Sequence, residues 1–572
     1  MRLQKLIVKN FRGIGTDEAG NGAELVFDNN NLIFICGENN CGKSSFLHAY
    51  EMLVLAANKA VKSDFYQEAI ENPIQIEAWV IAESAEDRAH RALARLWDEN
   101  GLAKVRKTWT EFDGVGNKES YDPENGWQQG GAGGFDTLLQ NALPKPIWIR
   151  GATTPEEVIT LLQTLVQETI LKQVAQRPVY QEALDAVTRL EQAIREDEYT
   201  GSLQSHLNDA ISHVFPAVSF RLKNEGERDI TDLFKRQTSI TISELGRPEL
   251  GFMHHGHGVR RQFIVSAFRG LASQLEEAKK TPKQRKEENF VLDDLAPVEG
   301  RSKSKMLLIE EPELFLHPEA IRSVRDLIYY LGSTSDFQIL AATHAPIMVD
   351  LSKPHTTLAR AERRPDGSIQ LNQVSSDLFD ADERDRMKML NYFDPYVCEA
   401  FFTNFALLVE GDTECVALRR LTARMAETPE HQAIAGLHIV NCGTKNNIPF
   451  FQKVLTHFRI PYWVFHDLDA RLNGAGNINS AWTLNQRIWD QIQASRQSGI
   501  SANRCVFNAE FESGNGYEHD PAIGKPFSAY LEAGRWNITD ETKSAVKFLR
   551  VIAGASNLDQ EFTPEFLERL VQ

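Results

Sequence analysis

Gly37-Glu38-Asn39-Asn40-Cys41-Gly42-Lys43-Ser44 lies between the apolar run Leu32–Cys36 and a segment of helical periodicity, Phe46–Leu55, and it decides the fold of the first part of this chain. A glycine-rich turn brings several backbone N–H groups to one phosphate with no Cβ in the way, and the helix behind it adds its positive end. The spacing assigns Lys43 to the β- and γ-phosphates and the Ser44 hydroxyl to magnesium, with Gly37, Asn39, Asn40, Gly42 and Ser45 completing the cradle. A run as apolar as Leu32–Cys36 is expected to be buried on both faces of a sheet.

A nucleotide-hydrolysing site needs acids downstream, and Met306–Ile309 reads as a short buried strand ending in Glu310-Glu311-Pro312-Glu313. A carboxylate at a strand tip holds magnesium through water, and the next one orients the attacking water. Glu310 takes the first role and Glu311 the second. Another apolar strand, Ile339–Thr343, delivers His344, beside Ala345-Pro346, to hydrogen-bond the γ-phosphate.

A second constellation occupies the last third. Phe405–Val409 is an apolar strand that presents Glu410; Gly411 allows the turn, and Glu414 falls on the first turn of a helix continued by Val416, Leu418 and Leu421. The strand Tyr462–Phe465 ends at Asp467-Leu468-Asp469. Ligand groups of an open parallel sheet gather at the carboxyl ends of its strands, so Glu410, Glu414, Asp467 and Asp469 are expected to converge. All-oxygen ligands suit magnesium or manganese rather than zinc. Two such ions about 4 Å apart activate a water and stabilise the leaving oxygen of a phosphodiester.

The rest of the chain frames these sites. At 572 residues several domains are expected, and 42% apolar content suffices to build their cores. No apolar stretch approaches the roughly 20 residues that span a bilayer, and the start, Met1-Arg2-Leu3-Gln4-Lys5, carries no apolar leader segment. The six cysteines form no C-x-x-C pair or secreted framework, which points to a reduced, cytoplasmic protein. The formal charge of −17 does not advertise nucleic acid, but carboxylates at metal sites raise the acidic count, and divalent cations reverse the local sign.

Leu3–Phe11, Ile74–Ile81 and Val105–Trp109 read as further strands, and Gly126–Gly134 as a flexible loop. Thr154-Pro155-Glu156-Glu157 is a well-signalled helix start, and helical spacing then continues, with an interruption at Pro178, to Ile194. Two long antiparallel helices inserted for packing or dimerisation are expected. Ala278–Ser304 reads as a mobile charged loop whose Lys279, Lys280, Lys283, Arg285 and Lys286 are solvated or touch DNA phosphate. A linker near Phe393–Ala406 leads into the last region.

Asn10-Phe11-Arg12-Gly13, the phosphate loop, Leu308–Pro318 and Ala342–Pro346 together resemble the ABC-type ATPases of the SMC and RecF kind. In that family two heads sandwich ATP, and a serine-glycine-glycine signature of one head reaches the γ-phosphate on the other. The resemblance puts Arg12 at the nucleotide and makes His255-Gly256-His257-Gly258, followed by Arg260-Arg261-Gln262, the nearest match to the signature, with Gly256 and Gly258 as its glycines. The signature serine is absent, Glu310 stands where the family often has Asp, and no segment matches the glutamine loop.

The E-G-x-x-E turn and the D-x-D pair resemble a Toprim domain, and a Toprim domain after an ABC-type head resembles the OLD family of ATP-dependent nucleases. That resemblance implies an α/β fold: an ABC-type ATPase domain (1–153 and 216–395) with a helical dimerisation insert (154–215), followed by a Toprim-like parallel-sheet α/β domain (396–572). It also implies a later acid and a lysine, matched by Glu512 and Lys525, with Glu510 as a rival acid. Lys525 would neutralise charge developing on the phosphate. Further implications are ATP with Mg2+ or Mn2+, a DNA substrate, a homodimer or higher homo-oligomer, and a role in defence against phages, in some members with a helicase-like partner or a retron. Two other readings use the same residues: an ATP-driven DNA clamp or sensor whose acids hold only structural metal, and a primase- or topoisomerase-like activity, for which no separate tyrosine-bearing domain is evident.

Overall fold

The computed structural model describes residues 1–28, 30–55, 58–89, 95–129, 143–150, 305–333, 337–385, 388 and 395–571, with isolated residues between 178 and 259. The chain divides into two compact units, Met1–Gly151 with Lys303–Gln572, and Ala152–Ser302. The expected paired helices of 154–215 and the charged loop Ala278–Ser304 lie outside the described residues, apart from helical residues between 178 and 189. Among the described residues no helix is long and apolar enough to cross a membrane. All six cysteines are buried and none forms a disulfide.

The first unit is built on three sheets of four or six strands and also carries a two-stranded ladder of Lys59–Ala60 with Gly114–Val115. Strands β1 (Arg2–Lys9), β2 (Ala23–Val26), β3 (Leu32–Cys36) and helix α1 (Lys43–Val54) are followed by β4 (Ile74–Ile81), β5 (Leu102–Trp109), β6 (Asn117–Asp122), β7 (Gly126–Gln129) and β8 (Lys145–Ile149). After the second unit come β9 (Lys305–Glu310), α2 (Pro318–Ser333), β10 (Phe337–Ala342), β11 (Leu358–Arg363) and β12 (Ile369–Gln373). The last region contributes β13 (Ala406–Val409), α3 (Asp412–Met425), β14 (His438–Asn441), α4 (Ile448–His457), β15 (Tyr462–Asp467), α5 (Ser480–Gln497), β16 (Ala502–Phe507), α6 (Lys525–Arg535), α7 (Ser544–Ile552) and α8 (Pro564–Val571).

The antiparallel sheet has the order β2-β1-β4-β5-β6-β7. Along β4 the residues Ile74, Ile76, Ala78 and Val80 are buried while their neighbours are half-buried, the alternation of a sheet with one face on a core. The second sheet has the order β8-β9-β10-β3-β11-β12. Its central strands run parallel, and every residue of β3 and β10 is buried, as strands covered on both faces require. One apolar core joins the two sheets through α1, whose Phe46, Leu47, Tyr50 and Leu53 point into it. The third sheet, β14-β13-β15-β16, is wholly parallel. Helices α3 and α6 lie against each other beside it, as do α4 and α5. Phe465, Phe507, Phe511 and Phe548 supply the centre of its core.

Two local readings need correction. Gly126–Gln129 is an edge strand and not a loop, pairing Tyr121 with Trp127 and Glu119 with Gln129. The Trp127 ring lies edge-on to Tyr121 and carries the Arg106 guanidinium 4.0 Å from its centre, cross-strand contacts that outweigh the glycine's entropy. Within the expected linker Phe393–Ala406, the described Pro395–Phe402 forms a 3-10 run whose Cys398 and Phe401 are buried. The α1 helix also begins one turn earlier than its apolar periodicity, because Gly42 at φ 73° ends the loop and starts the helix.

Candidate functional site

The phosphate loop is shaped by three left-handed residues, Gly37 (φ 140°), Asn40 (φ 61°) and Gly42 (φ 73°). A Cβ at Gly37 would stand 2.3 Å from the carbonyl oxygen of Ala361, and one at Gly42 would stand 2.1 Å from Cδ1 of Ile369. Glycine is therefore favoured by conformation at both positions, and at Gly37 also by space, because the atom it would meet is backbone. Lys43 is buried, and its Nζ donates to the carbonyls of Gly37 (2.9 Å) and Glu38 (2.7 Å). Ser45 is buried under the loop, while Asn39 and Asn40 are exposed on its rim. Arg363 at the end of β11 clamps the Asn40 carbonyl at 2.7 Å.

The acids of β9 meet this loop. The Ser44 hydroxyl donates directly to Glu310 Oε1, so the hydroxyl and carboxylate expected to share a magnesium ion face each other across 266 residues of sequence. Glu311 follows at φ 47°, a conformation that costs a non-glycine residue roughly 1–3 kcal/mol. The amide of Glu311 is held by the Ala342 carbonyl at 2.9 Å, and its carboxylate lies 3.5 Å from His344 Nδ1. Glu313 is the buried member of the cluster, accepting from the Thr343 hydroxyl (3.0 Å) and the His344 amide (3.1 Å). Strands β9 and β10 are hydrogen-bonded neighbours, which is why Glu310, Glu311 and His344 come together.

Arg12 stands at φ 54° and is fastened to Asp64 twice, by its amide to the Asp64 carbonyl (2.7 Å) and by Nε to the carboxylate (3.0 Å). Of the signature glycines, Gly256 belongs to the second compact unit, and Gly258 lies outside the described residues.

At the third sheet, β13 and β15 are parallel neighbours, so Glu410 and Asp467 emerge side by side at their carboxyl ends. Glu410 Oε1 accepts from the Asp467 amide at 2.7 Å. Glu414 is buried on the first turn of α3 and accepts from the Gly411 amide at 3.1 Å, capping the start of the helix. Asp469 sits at φ 63°. Beyond β16, Glu512 is buried on the helical turn Phe511–Gly514, where Lys525 Nζ lies 3.2 Å from it and 3.4 Å from Glu510. Glu512 is thus the enclosed acid and Glu510 the exposed one, although the lysine touches both.

These carboxylates feel one another. Burial, opposed by Lys445, pushes Glu410 up to about 7, and burial with the charges of Glu410 and Glu414 pushes Asp467 up to about 9. Glu414 is raised by burial and by Glu512, while for Lys525 desolvation pulls down but is outweighed by the combined pairing with Glu512 and Glu510, which raises it. Glu410, Glu414 and Asp467 are therefore largely buried acids, each raised further by a neighbouring carboxylate.

The donor set is all oxygen, and Asp467 Oδ1 is buried with no hydrogen-bond partner, so the residues fit a hard divalent cation. Among the described residues no three acid, imidazole or thiol groups are already gathered around one point as ligands. The Asp467 and Gly411 amides and two lysines engage the oxygens instead.

One of those lysines, Lys445, escaped the sequence reading. It is buried, and its Nζ lies 2.5 Å from Asp469 Oδ2, 2.5 Å from the Asp467 carbonyl and 3.8 Å from Glu410 Oε1. The usable signal was a lysine just after a glycine turn at the carboxyl end of a parallel strand, β14. Glu313, Asp64 and Arg363 were also missed as partners of His344, Arg12 and Asn40.

Residues 1–99 and 152–349 match an AAA ATPase domain, and residues 401–469 match the Toprim domain of overcoming-lysogenization-defect-like proteins. The chain belongs to the OLD family. It is 27% identical to the OLD nuclease of Thermus scotoductus over 249 residues, 43% of this chain and 44% of that protein. It is 26% identical to the Old nuclease of Escherichia phage P2 over 424 residues, 68% of this chain and 65% of the relative. The chain thus covers less than two thirds of either relative's length. A solved C-terminal region of the Xanthomonas campestris pv. campestris OLD protein aligns with 27% of this chain and 97% of its own length, at 18% identity and a TM-score of 0.18. The OLD family's two-part plan, an ATPase followed by a Toprim sheet, matches the order of the two sites along this chain.

Proposed function

We propose that this OLD-family chain is an ATP-regulated, divalent-metal-dependent DNA endonuclease. The observation that supports the reading is that Glu410 and Asp467 end adjacent parallel strands and are joined by the Asp467 amide, with Lys445 bridging Glu410 to Asp469 and the Lys525–Glu512 pair beyond β16, in a chain that also holds a complete phosphate loop facing Glu310.

In this reading Glu410, Glu414, Asp467, Asp469 and Glu512 hold magnesium or manganese. When bound, the metal supplies an activated water and neutralises charge on the scissile phosphodiester. Lys525, at the rim and beside Glu512, offsets the charge that develops on the phosphate. At the other site Gly37–Ser45 cradle the ATP phosphates with Lys43, and Ser44 and Glu310 share the magnesium position. Glu311 orients the attacking water, and His344, within reach of Glu311 and backed by Glu313, contacts the γ-phosphate. Arg12 completes the nucleotide site, and by the family resemblance Gly256 and Gly258 would serve a second copy's ATP in a homodimer. A cytoplasmic role in defence against phages is the biological setting we infer by analogy with the family.

The test is plasmid cleavage with Mn2+ or Mg2+, with and without ATP, comparing wild type with Asp467→Ala and Lys43→Ala. Cleavage that survives Asp467→Ala overturns the metal-site assignment. ATP turnover that survives Lys43→Ala overturns the nucleotide-site assignment.

A further inference from the structure

Lys445 is placed by a rigid turn. Asn441 at the end of β14 accepts from the Gly443 amide (2.8 Å) and donates to Asp412 (2.7 Å), and Asn447 donates back to the Cys442 carbonyl (2.8 Å). Gly443, at φ 75°, makes the bend, and Lys445–Asn447 form one 3-10 turn packed near the start of α4. The lysine stem is 5% exposed, and the ammonium ends among Asp469 Oδ2, the Asp467 carbonyl and Glu410. Glu414 and Glu512 face the same pocket from α3 and from the turn after β16, where Lys525 supplies the other positive charge. A buried ammonium persists only where acceptors replace its water, and here two of them, Asp469 and Glu410, are carboxylates the metal reading needs, while the third is the main-chain carbonyl of Asp467.

We propose that Lys445 is the resident counter-ion of the acidic centre: it draws Glu410, Asp467 and Asp469 into one set and competes with divalent cations for Asp469, so that it sets the metal concentration at which the site loads. This rests on the metal-site reading above. Lys445 is a positioning residue, distinct from Lys525, whose exposed ammonium lies at the rim beside Glu510 and Glu512. With the ammonium present, the acids approach one another without their full mutual repulsion. Without it, the same acids repel more strongly and attract a divalent ion more strongly, because a neighbouring unit charge at low effective dielectric changes ion affinity by on the order of tenfold or more.

The experiment is Mn2+ binding to the whole protein by calorimetry, together with metal-free thermal unfolding, for wild type, Lys445→Met and Lys445→Arg. The proposal expects Lys445→Met to bind Mn2+ on the order of tenfold more tightly, with a lower metal-free Tm and a larger Tm rise on adding Mn2+. Lys445→Arg, which keeps the charge, should stay near wild type in affinity. Unchanged or weaker Mn2+ binding in Lys445→Met overturns the proposal, as does a Lys445→Arg variant that behaves like Lys445→Met. If Lys445→Met does not fold, acetylation of Lys445 in the wild type, followed by mass spectrometry, decides. Reactivity should rise when Mn2+ is added, and equal reactivity with and without Mn2+ overturns the idea. A wild-type protein that binds no Mn2+ sinks the metal-site reading itself, whereas normal wild-type binding with an indifferent Lys445→Met sinks only the role of Lys445.

Discussion

The side-chain amide of Asn404 donates to the carboxylate of Glu38 at 2.8 Å, joining the phosphate loop to the segment that enters β13. Glu38 is the second residue of the loop, and its own carbonyl holds Lys43. Asn404 stands two residues before β13, the strand that ends at Glu410. A displacement of the loop by nucleotide would therefore be felt where the acidic centre begins. Asn404→Ala should leave ATP turnover intact and bring cleavage rates with and without ATP closer together. Contacts along such a route carry about 0.5–2 kcal/mol of coupling, so a change of a few-fold in the ATP effect is expected. An ATP effect equal to wild type would show that this contact transmits nothing.

At the nucleotide site, Lys43→Ala and Glu311→Gln should fail in different ways. In the proposed site Lys43 would contact phosphate in both ground and transition states, so its loss should weaken nucleotide binding as well as turnover. Glu311 is held in a strained backbone with its carboxylate toward His344, a geometry suited to handling a proton and not to binding. Glu311→Gln should keep nucleotide affinity, measured with a fluorescent analogue, while turnover falls roughly 100- to 10,000-fold, the range for a lost general base. Equal loss of binding in both variants would remove the distinction.

The elements legible in sequence were those whose chemistry is local. The run Leu32–Cys36, the loop after it and the acids at strand tips each carry their signal within about ten residues. The parallel-sheet rule then carried Glu410 and Asp467 to adjacent strand ends without any sequence proximity. Lys445 was not legible, because a lysine in a polar loop looks solvated until β14 is known to lie beside β13. Glu313 was overlooked for a related reason: in Glu310-Glu311-Pro312-Glu313 the pattern does not say which acid turns inward, and only the pairing of β9 with β10 puts Thr343 within its reach. Gly126 misled by composition, since the aromatic and cation contacts of Trp127 come from two other strands.

The acidic centre should make metal-free stability fall as pH rises. Glu410 and Asp467 have folded pKa values near 7 and 9, raised chiefly by burial above their ordinary values of 4.5 and 3.8. Between the ordinary and raised values the folded protein holds more protons than the unfolded chain, so unfolding free energy declines with pH in that window. Below about pH 4 the two groups impose no penalty, because they are protonated in both states. The metal-free Tm should drop between pH 6 and 9, by less in Asp467→Asn than in wild type. Apparent Mn2+ affinity should climb over the same interval, because the ionised carboxylates are the ligands. A Tm curve of identical shape in Asp467→Asn would show that Asp467 is not titrating there.

Arg360 fastens the nucleotide sheet to the sheet of the acidic centre. It is fully buried on β11, opposite Cys36 at the end of β3, and its guanidinium donates to the carbonyls of Thr403 (3.0 Å) and Phe458 (3.3 Å) and to Glu362 (3.0 Å). The acceptors are reached by two guanidinium nitrogens held apart in one plane, a spread that a single ammonium nitrogen does not reproduce. Arg360→Met should leave two carbonyls without this donor at a cost of about 1–3 kcal/mol, since Glu362 is part-exposed and keeps the Asn372 amide. Arg360→Lys should recover only part of that loss. Thermal unfolding measures both, and a fragment-wise readout such as hydrogen exchange should show the loss concentrated at residues 395–410 and around Phe458. If exchange there matches wild type in Arg360→Met, the two sheets are held together by their apolar contacts and not by this arginine.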